Sequence, residues 1–338
     1  MKLNKLAYCM ITVAGATGVA SAAGCAAAAY TPPRTPEQPT ITVDSVPAAD
    51  EGGLYVAAAG GFFRQQGLTV NIKPVTGGEE AIPGLQSGNV QLVGGNYVSF
   101  VLAQIAGHAS GKPADFRVVA PASDMQPGTE SLYVLPGSRY KTVASLASSH
   151  ATVGLNTPRD VGQVMLGSLM QDNGYSLRDI RQITPPGGFP ELVSMLRHGQ
   201  VDAAWLPQPF ATQAQQQYGA VQLADLDQGA VQDFPFTGYI GTASWVRSHP
   251  NTVAAFTRAL DKGQQVADTD REALEQAMEK YTGLPPIVAD TMPYDSYPLT
   301  MVQPQIQRVS NAMYEFGLTP GLKQPYQMTG MTGTTGRS

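Results

Sequence analysis

The strongest constraint on this chain is a segment that occurs twice. Leu85-Gln-Ser-Gly88-Asn-Val90-Gln91 has the same pattern as Leu196-Arg-His-Gly199-Gln-Val201-Asp202. Each copy reads as a helix end, a glycine suited to the left-handed stop, and the start of a buried strand. The stop glycine of each copy lies 11 or 12 residues after the first glycine of a pair, Gly77-Gly78 and Gly187-Gly188. Helix–glycine–strand junctions are common in α/β proteins, but matched glycine pairs argue for two equivalent half-molecules. A chain of 338 residues has room for both.

The surrounding pattern fits that reading. Strands are expected at 41–46, 68–75, 90–93 and 116–120. They alternate with a helix opening at Asp50-Glu-Gly-Gly and stopping near Gly67, and with helices at 79–88 and 97–106. The middle repeats the theme, with strands at 151–155, 180–183 and 201–205 and helices at 161–171, 190–197 and 207–218. A strand at 240–246 follows, then helices at 252–268, 271–281 and 304–316. Such alternation predicts an α/β protein with mainly parallel sheets covered by helices. Gly-, Pro- and small-residue-rich stretches at 121–136 and 234–243 are the expected crossings between two lobes, and two crossings make a hinge.

Charge and cysteine usage narrow the function. The net charge is −5 and no basic cluster exceeds two adjacent residues, so the counterion-displacing stripe of a nucleic-acid binder is lacking. Both cysteines, Cys9 and Cys25, fall in the first 25 residues, which suits an oxidising compartment for the body. Lys2 and Lys5 precede an apolar, small-residue run, and Ala22-Ala23-Gly24 leads directly into Cys25. That arrangement resembles a bacterial lipobox, with Ala22 where leucine is usual. It implies a signal peptide at 1–24, an acylated Cys25, and a Pro-rich tether at 25–40 carrying Pro32, Pro33, Pro36 and Pro39.

The body resembles a specific family. Ala57-Ala-Ala-Gly-Gly-Phe-Phe-Arg-Gln-Gln-Gly-Leu68 and Gly199-Gln-Val-Asp-Ala-Ala-Trp-Leu-Pro-Gln-Pro-Phe210, with Gly77-Gly78 and residues 85–95, are similar to motifs of ABC-importer solute-binding proteins. The group is the nitrate/sulfonate/taurine and thiamine-precursor (SsuA/THI5-like) one. The resemblance implies a two-lobed periplasmic-binding-protein-like fold of type II, with a ligand cleft between lobes joined by two crossing segments. Lobe I would take 41–127 plus 237–330, lobe II 128–236, and 331–338 would be a flexible tail. It also implies a monomer outside the cytoplasmic membrane, held by its lipid anchor, that passes a small molecule to an ABC permease and its ATPase. At Gln208 the chain departs from the family's glutamate. A ligand-sensing lipoprotein serving a membrane receptor is the alternative, and an enzyme of thiamine-pyrimidine metabolism a more distant one.

Open α/β sheets bind ligands beyond the carboxyl ends of their strands. The residues at those ends are Asp50, Gly78, Asn96, Tyr97, Asp124, Asn156, Thr157, Asp160, Trp205 and Gln208. Asn96, Thr157 and Asp160 also suit N-caps, and Trp205 suits either a stacking surface or the core; the sequence leaves both open. Helix N-termini at 77–78, 96–98 and 157–161 would offer N–H groups to an anionic head group. Only Arg159 is basic among these positions, which disfavours nitrate and suits a zwitterion or a nitrogen heterocycle. No Gly-x-Ser-x-Gly elbow or His-Glu-x-x-His pair is present. The P-loop-like stretch Gly107–Pro113 is one residue short and has Pro113 in place of Ser or Thr. No cofactor, metal or catalytic residue is expected.

Overall fold

The computed structural model describes residues 34–109 and 115–332. The leader, Cys25 and most of the tether lie outside the described residues, as do the last four residues of the P-loop-like stretch and residues 333–338.

The first sheet holds β1 (Thr40–Ser45), β2 (Thr69–Pro74), β3 (Leu92–Asn96) and β4 (Phe116–Asp124). The second holds β5 (Glu130–Val134), β6 (Thr152–Gly154), β7 (Arg181–Ile183), β8 (Ala203–Pro207) and β9 (Val221–Asp225). β10 (Pro235–Thr242) returns to the first. The spatial orders are β2-β1-β3-β10-β4 and β7-β6-β8-β5-β9. One strand in each sheet runs against the rest, β10 in the first and β5 in the second. Both are the first strand laid down after a crossing, so each sheet takes in, next to its edge, a strand delivered from the other.

The expected repeat is present in space. α3 (Gly78–Ser87) and α7 (Gly188–Arg197) each begin on the second glycine of a pair. Each runs into a left-handed glycine, Gly88 (φ 79°) or Gly199 (φ 65°), and then into the third strand of its sheet.

Several local expectations change. The helix read from Asp50 is a 3-10 turn (Ala49–Glu51) followed by α1 (Gly52–Ala59) and α2 (Phe62–Gln65). Gly61, left-handed at φ 69°, separates the last two. The strand placed at 240–246 ends at Thr242, whose hydroxyl accepts from Trp245 N and starts α9 (Ala243–Ser248). The 234–243 stretch is largely β10 itself, so the second crossing is 226–234. The first crossing shrinks to 125–129, because β4 and β5 occupy the ends of the 121–136 stretch. β5 and β9 were not anticipated, nor were α5 (Val143–Ser148) and α12 (Pro286–Thr291).

The remaining helices cover the sheets: α4 (Tyr97–Ala109), α6 (Val161–Asp172), α8 (Phe210–Tyr218), α10 (Pro250–Thr269), α11 (Arg271–Thr282), α13 (Gln303–Glu315) and α14 (Thr329–Thr332). α10 and α11 pack on α1. Gly263 permits the closest approach, since a Cβ there would sit 2.3 Å from the Gly53 carbonyl oxygen. Met331 and Thr332, placed by sequence in a tail, are buried in α14. One apolar core runs through both sheets, from Val93 and Phe100 to Leu132, Val153 and Trp205.

Candidate functional site

The carboxyl ends of β1, β3, β6 and β8 converge on a cavity of about 40 Å³ between the two sheets. Its wall draws on Asp50, Gly78 and Asn96 from one side and Asn156, Asp160 and Trp205 from the other. Thr76, Gly77, Phe189, Phe236 and Thr237 also line it. That space holds a few waters at most, so a larger occupant requires the two sides to part. Asp50, Gly78, Asn96, Asn156, Asp160 and Trp205 are thus brought together as the sequence suggested. Tyr97, Asp124, Thr157 and Gln208 are not in the wall.

Asp160 joins the two sides. Asn96 Nδ2 donates to its Oδ2 (3.2 Å) and Ser99 Oγ to its Oδ1 (2.7 Å), while Thr157 Oγ1 also donates to Oδ2 (3.0 Å). The carboxylate of one side is therefore clasped by two donors of the other. Asp160 does occupy the N-cap position of α6, but its side chain caps nothing there. Asn96 does cap: its Oδ1 accepts from Ser99 N (2.9 Å) at the start of α4. A further bond crosses nearby, from Ala49 N to the Gln208 carbonyl (3.1 Å).

Trp205 is both wall and core, with 2% of its surface exposed. Phe189 meets it edge-on at 5.1 Å, and a Cβ on Gly162 would lie 2.4 Å from the indole. Its Nε1 donates to Glu130 Oε2 (2.5 Å).

Four of the expected residues do other work. Gln208 is turned toward the crossing segment, donating to the Gly128 carbonyl (3.2 Å) and accepting from Thr212 Oγ1 (2.8 Å) on α8. Asp124 pairs through its backbone with Ser296, and burial lifts its carboxyl to about 6. Tyr97 is buried with its hydroxyl against Gly238, where a Cβ would lie 2.4 Å away. Thr157 supports Asp160 and lines a separate apolar groove with Leu102, Ile105 and Leu318.

The electrostatics were not foreseen. Burial raises the carboxyl of Asp50 to about 7 and holds those of Glu51, Glu130 and Asp295 well above the usual range. Asp50 pushes each of the other three further up. Glu51 is held by the Tyr239 hydroxyl, which donates to it, and occupies the space a Cβ on Gly94 would fill, 2.7 Å from its Oε1. No lysine or arginine lines the cavity. Two of its acceptors, Asp50 Oδ1 and Asn156 Oδ1, are buried without a hydrogen-bond partner. Glu130 had a sequence signal, a lone charge inside the strand-forming run Thr129-Glu-Ser-Leu-Tyr-Val134. Asp295, on an irregular segment, had none. Among the described residues no group of His, Cys, Asp and Glu side chains is arranged to hold a metal ion, and no helix is long and apolar enough to cross a membrane.

Solved structures share this architecture. The alkanesulfonate-binding protein SsuA from Xanthomonas axonopodis pv. citri, bound to MOPS, aligns at TM-score 0.72 and 18% identity, covering 87% of this chain and 98% of that one. The periplasmic nitrate-binding protein NrtA from Synechocystis PCC 6803 aligns at 0.71 and 16%, covering 86% and 84%. The desulfurization enzyme DSZB aligns at 0.64 and 14%, covering 88% and 96%. At these identities the likeness is one of fold, a two-lobed periplasmic-binding-protein architecture. No protein of curated function matches the chain in sequence. The family model described as NMT1/THI5 like matches residues 48–273, more than half of the chain, and the chain belongs to that family.

Proposed function

We propose that this chain captures a small organic solute outside the cytoplasmic membrane and delivers it to an ABC import permease and its ATPase. The observation that carries this reading is the interlobe cavity, whose wall is shared between two sheets joined by only two crossings. A ligand touching both sides favours the closed form because its contacts differ between the two states. SsuA and NrtA, alike in fold, are binding proteins for alkanesulfonate and nitrate. The proposed lobes are 41–127 plus 235–332 and 128–234, the second boundary drawn back from 236/237 because β10 begins in the first sheet at Pro235, and acylation of Cys25 would anchor the chain. DSZB shows that the fold also hosts an enzyme.

Thermal unfolding against a panel tests the reading. The panel holds taurine, alkyl and aryl sulfonates, nitrate, thiamine and its pyrimidine, and other nitrogen heterocycles. A ligand at 100 times its dissociation constant adds about 2.7 kcal/mol, a shift of a few degrees for a chain of this size. A selective shift with one chemical class is expected; no shift anywhere in the panel would refute capture of such solutes. Mass spectrometry of the membrane-associated chain should find diacylglycerol on Cys25, and an unmodified Cys25 would remove the anchor.

A further inference from the structure

We infer that the solute enters head-first with a protonated, multiply N–H-bearing nitrogen group, an ammonium or amidinium, that bridges Asp50 of one lobe and Asn156 of the other. The inference rests on the capture reading above and names its substrate class.

Three observations carry it. Asp50 Oδ1 and Asn156 Oδ1 are acceptors buried without partners, and both residues line the same cavity from opposite sheets. Asp50 and Asn156 are 9% and 5% exposed. A buried acceptor without a donor is costly, and two of them in one small chamber are met together by a single head group with two N–H bonds. The chamber also lacks a cation. The ionisable groups that act with Asp50 are Glu51 and Tyr55 beside it, Tyr239 from β10, Glu130 from β5, and Asp295 and Tyr297 from the segment before α13. All are acidic or phenolic, and the remaining charged residue of the wall, Asp160, is already clasped by three donors. Of the clustered carboxyls Asp50 alone borders the cavity, so it is where an incoming positive charge would be neutralised.

The chemistry sets a pH dependence. With its carboxyl near 7, Asp50 is mostly protonated at pH 6 and mostly ionised at pH 8. A permanent cation should therefore bind about tenfold more tightly at pH 8 than at pH 6.

The experiment uses the full chain and ligands of matched shape: benzylammonium and benzamidinium, neutral benzamide, and anionic benzoate and benzenesulfonate. Calorimetry at pH 6 and pH 8 is expected to rank cations above the neutral amide and the amide above the anions, with the tenfold pH effect confined to the cations. Asp50→Asn should remove the preference and the pH effect, and Asn156→Ala should weaken cation binding about tenfold. The pH profile of the unaltered chain keeps the test open if either variant misfolds. Benzenesulfonate binding while no cation does would overturn this inference and leave the capture reading standing. Binding of cations without pH dependence would overturn the role of Asp50. No binding by any of the five compounds would overturn the inference, and silence in the wider panel as well would take the capture reading with it.

Discussion

The two sheets are built alike and furnished oppositely. β1 pairs with β3 so that Val43 faces Leu92, and β6 pairs with β8 so that Val153 faces Ala203. This register makes Gly94 the counterpart of Trp205. In the first sheet the middle strand has no side chain at that point, and Glu51 folds over the gap under the Tyr239 hydroxyl. In the second sheet the same point carries the largest side chain, and its indole N–H holds Glu130. Each half therefore buries one carboxyl against its central strand, one over a vacancy and one beneath a ring. A duplicated scaffold fixes where a buried acid can sit, while the side chains decide what covers it.

The largest expected effect tests whether the two acids are equivalent. Folded-state values raised by burial mean that the native chain holds protons the unfolded chain releases above about pH 4. Their contribution to stability should therefore be complete at or below about pH 4 and fall as pH rises, by about 1 kcal/mol per pH unit for each group until its folded-state value is passed. For Asp50 that point is about 7. Urea unfolding at pH 5.5, 6.5 and 7.5 measures the slope. Glu51→Gln and Glu130→Gln should each remove a similar share of it, and a slope untouched by one of them would break the equivalence.

Next in size is Trp205→Ala. Loss of a buried ring with the Gly162 backbone against it should cost about 3–5 kcal/mol and strand Glu130 without its donor. A loss below about 1 kcal/mol with abolished ligand binding would instead make the indole a ligand surface alone. The smallest effect is expected for Gly94→Ala, the reciprocal change. Its methyl group would press on Glu51, and overpacking of this kind costs about 1–3 kcal/mol. A neutral result by thermal melting would mean that Glu51 can leave its place over the strand.

The repeat itself was legible because it is local. A helix, its glycine stop and the strand that follows are written in consecutive residues, and α3–β3 and α7–β8 were readable from them. Two strands of the second sheet were not. β5 lies between Pro127-Gly128 and Pro136-Gly137, so its flanks read as linker. β9, with Val221-Gln-Leu-Ala-Asp225, is short and half exposed. The candidate site was readable in outline, since strand ends must face the cleft whatever the sequence. Its acidity was not. Glu51 and Asp295 are ordinary surface residues by sequence, and Glu51 becomes a buried acid only when Tyr239, 188 residues away, closes over it. The surroundings of Gln208 were unreadable for a similar reason. The turn after β8 swings its amide toward Gly128 and Thr212, away from the cavity.

The clasp on Asp160 has a kinetic meaning. While the two sides are joined, a chamber of about 40 Å³ admits no organic solute, so entry waits on openings. Apparent affinity is then the intrinsic affinity scaled by the open fraction. The bonds from Asn96 and Ser99 that hold the empty form shut would have to give way before any organic solute is seated. On the capture reading, a latch of this kind would make the empty form a turnstile that fills slowly. Its filling would then follow a sustained supply of solute and pass over brief pulses.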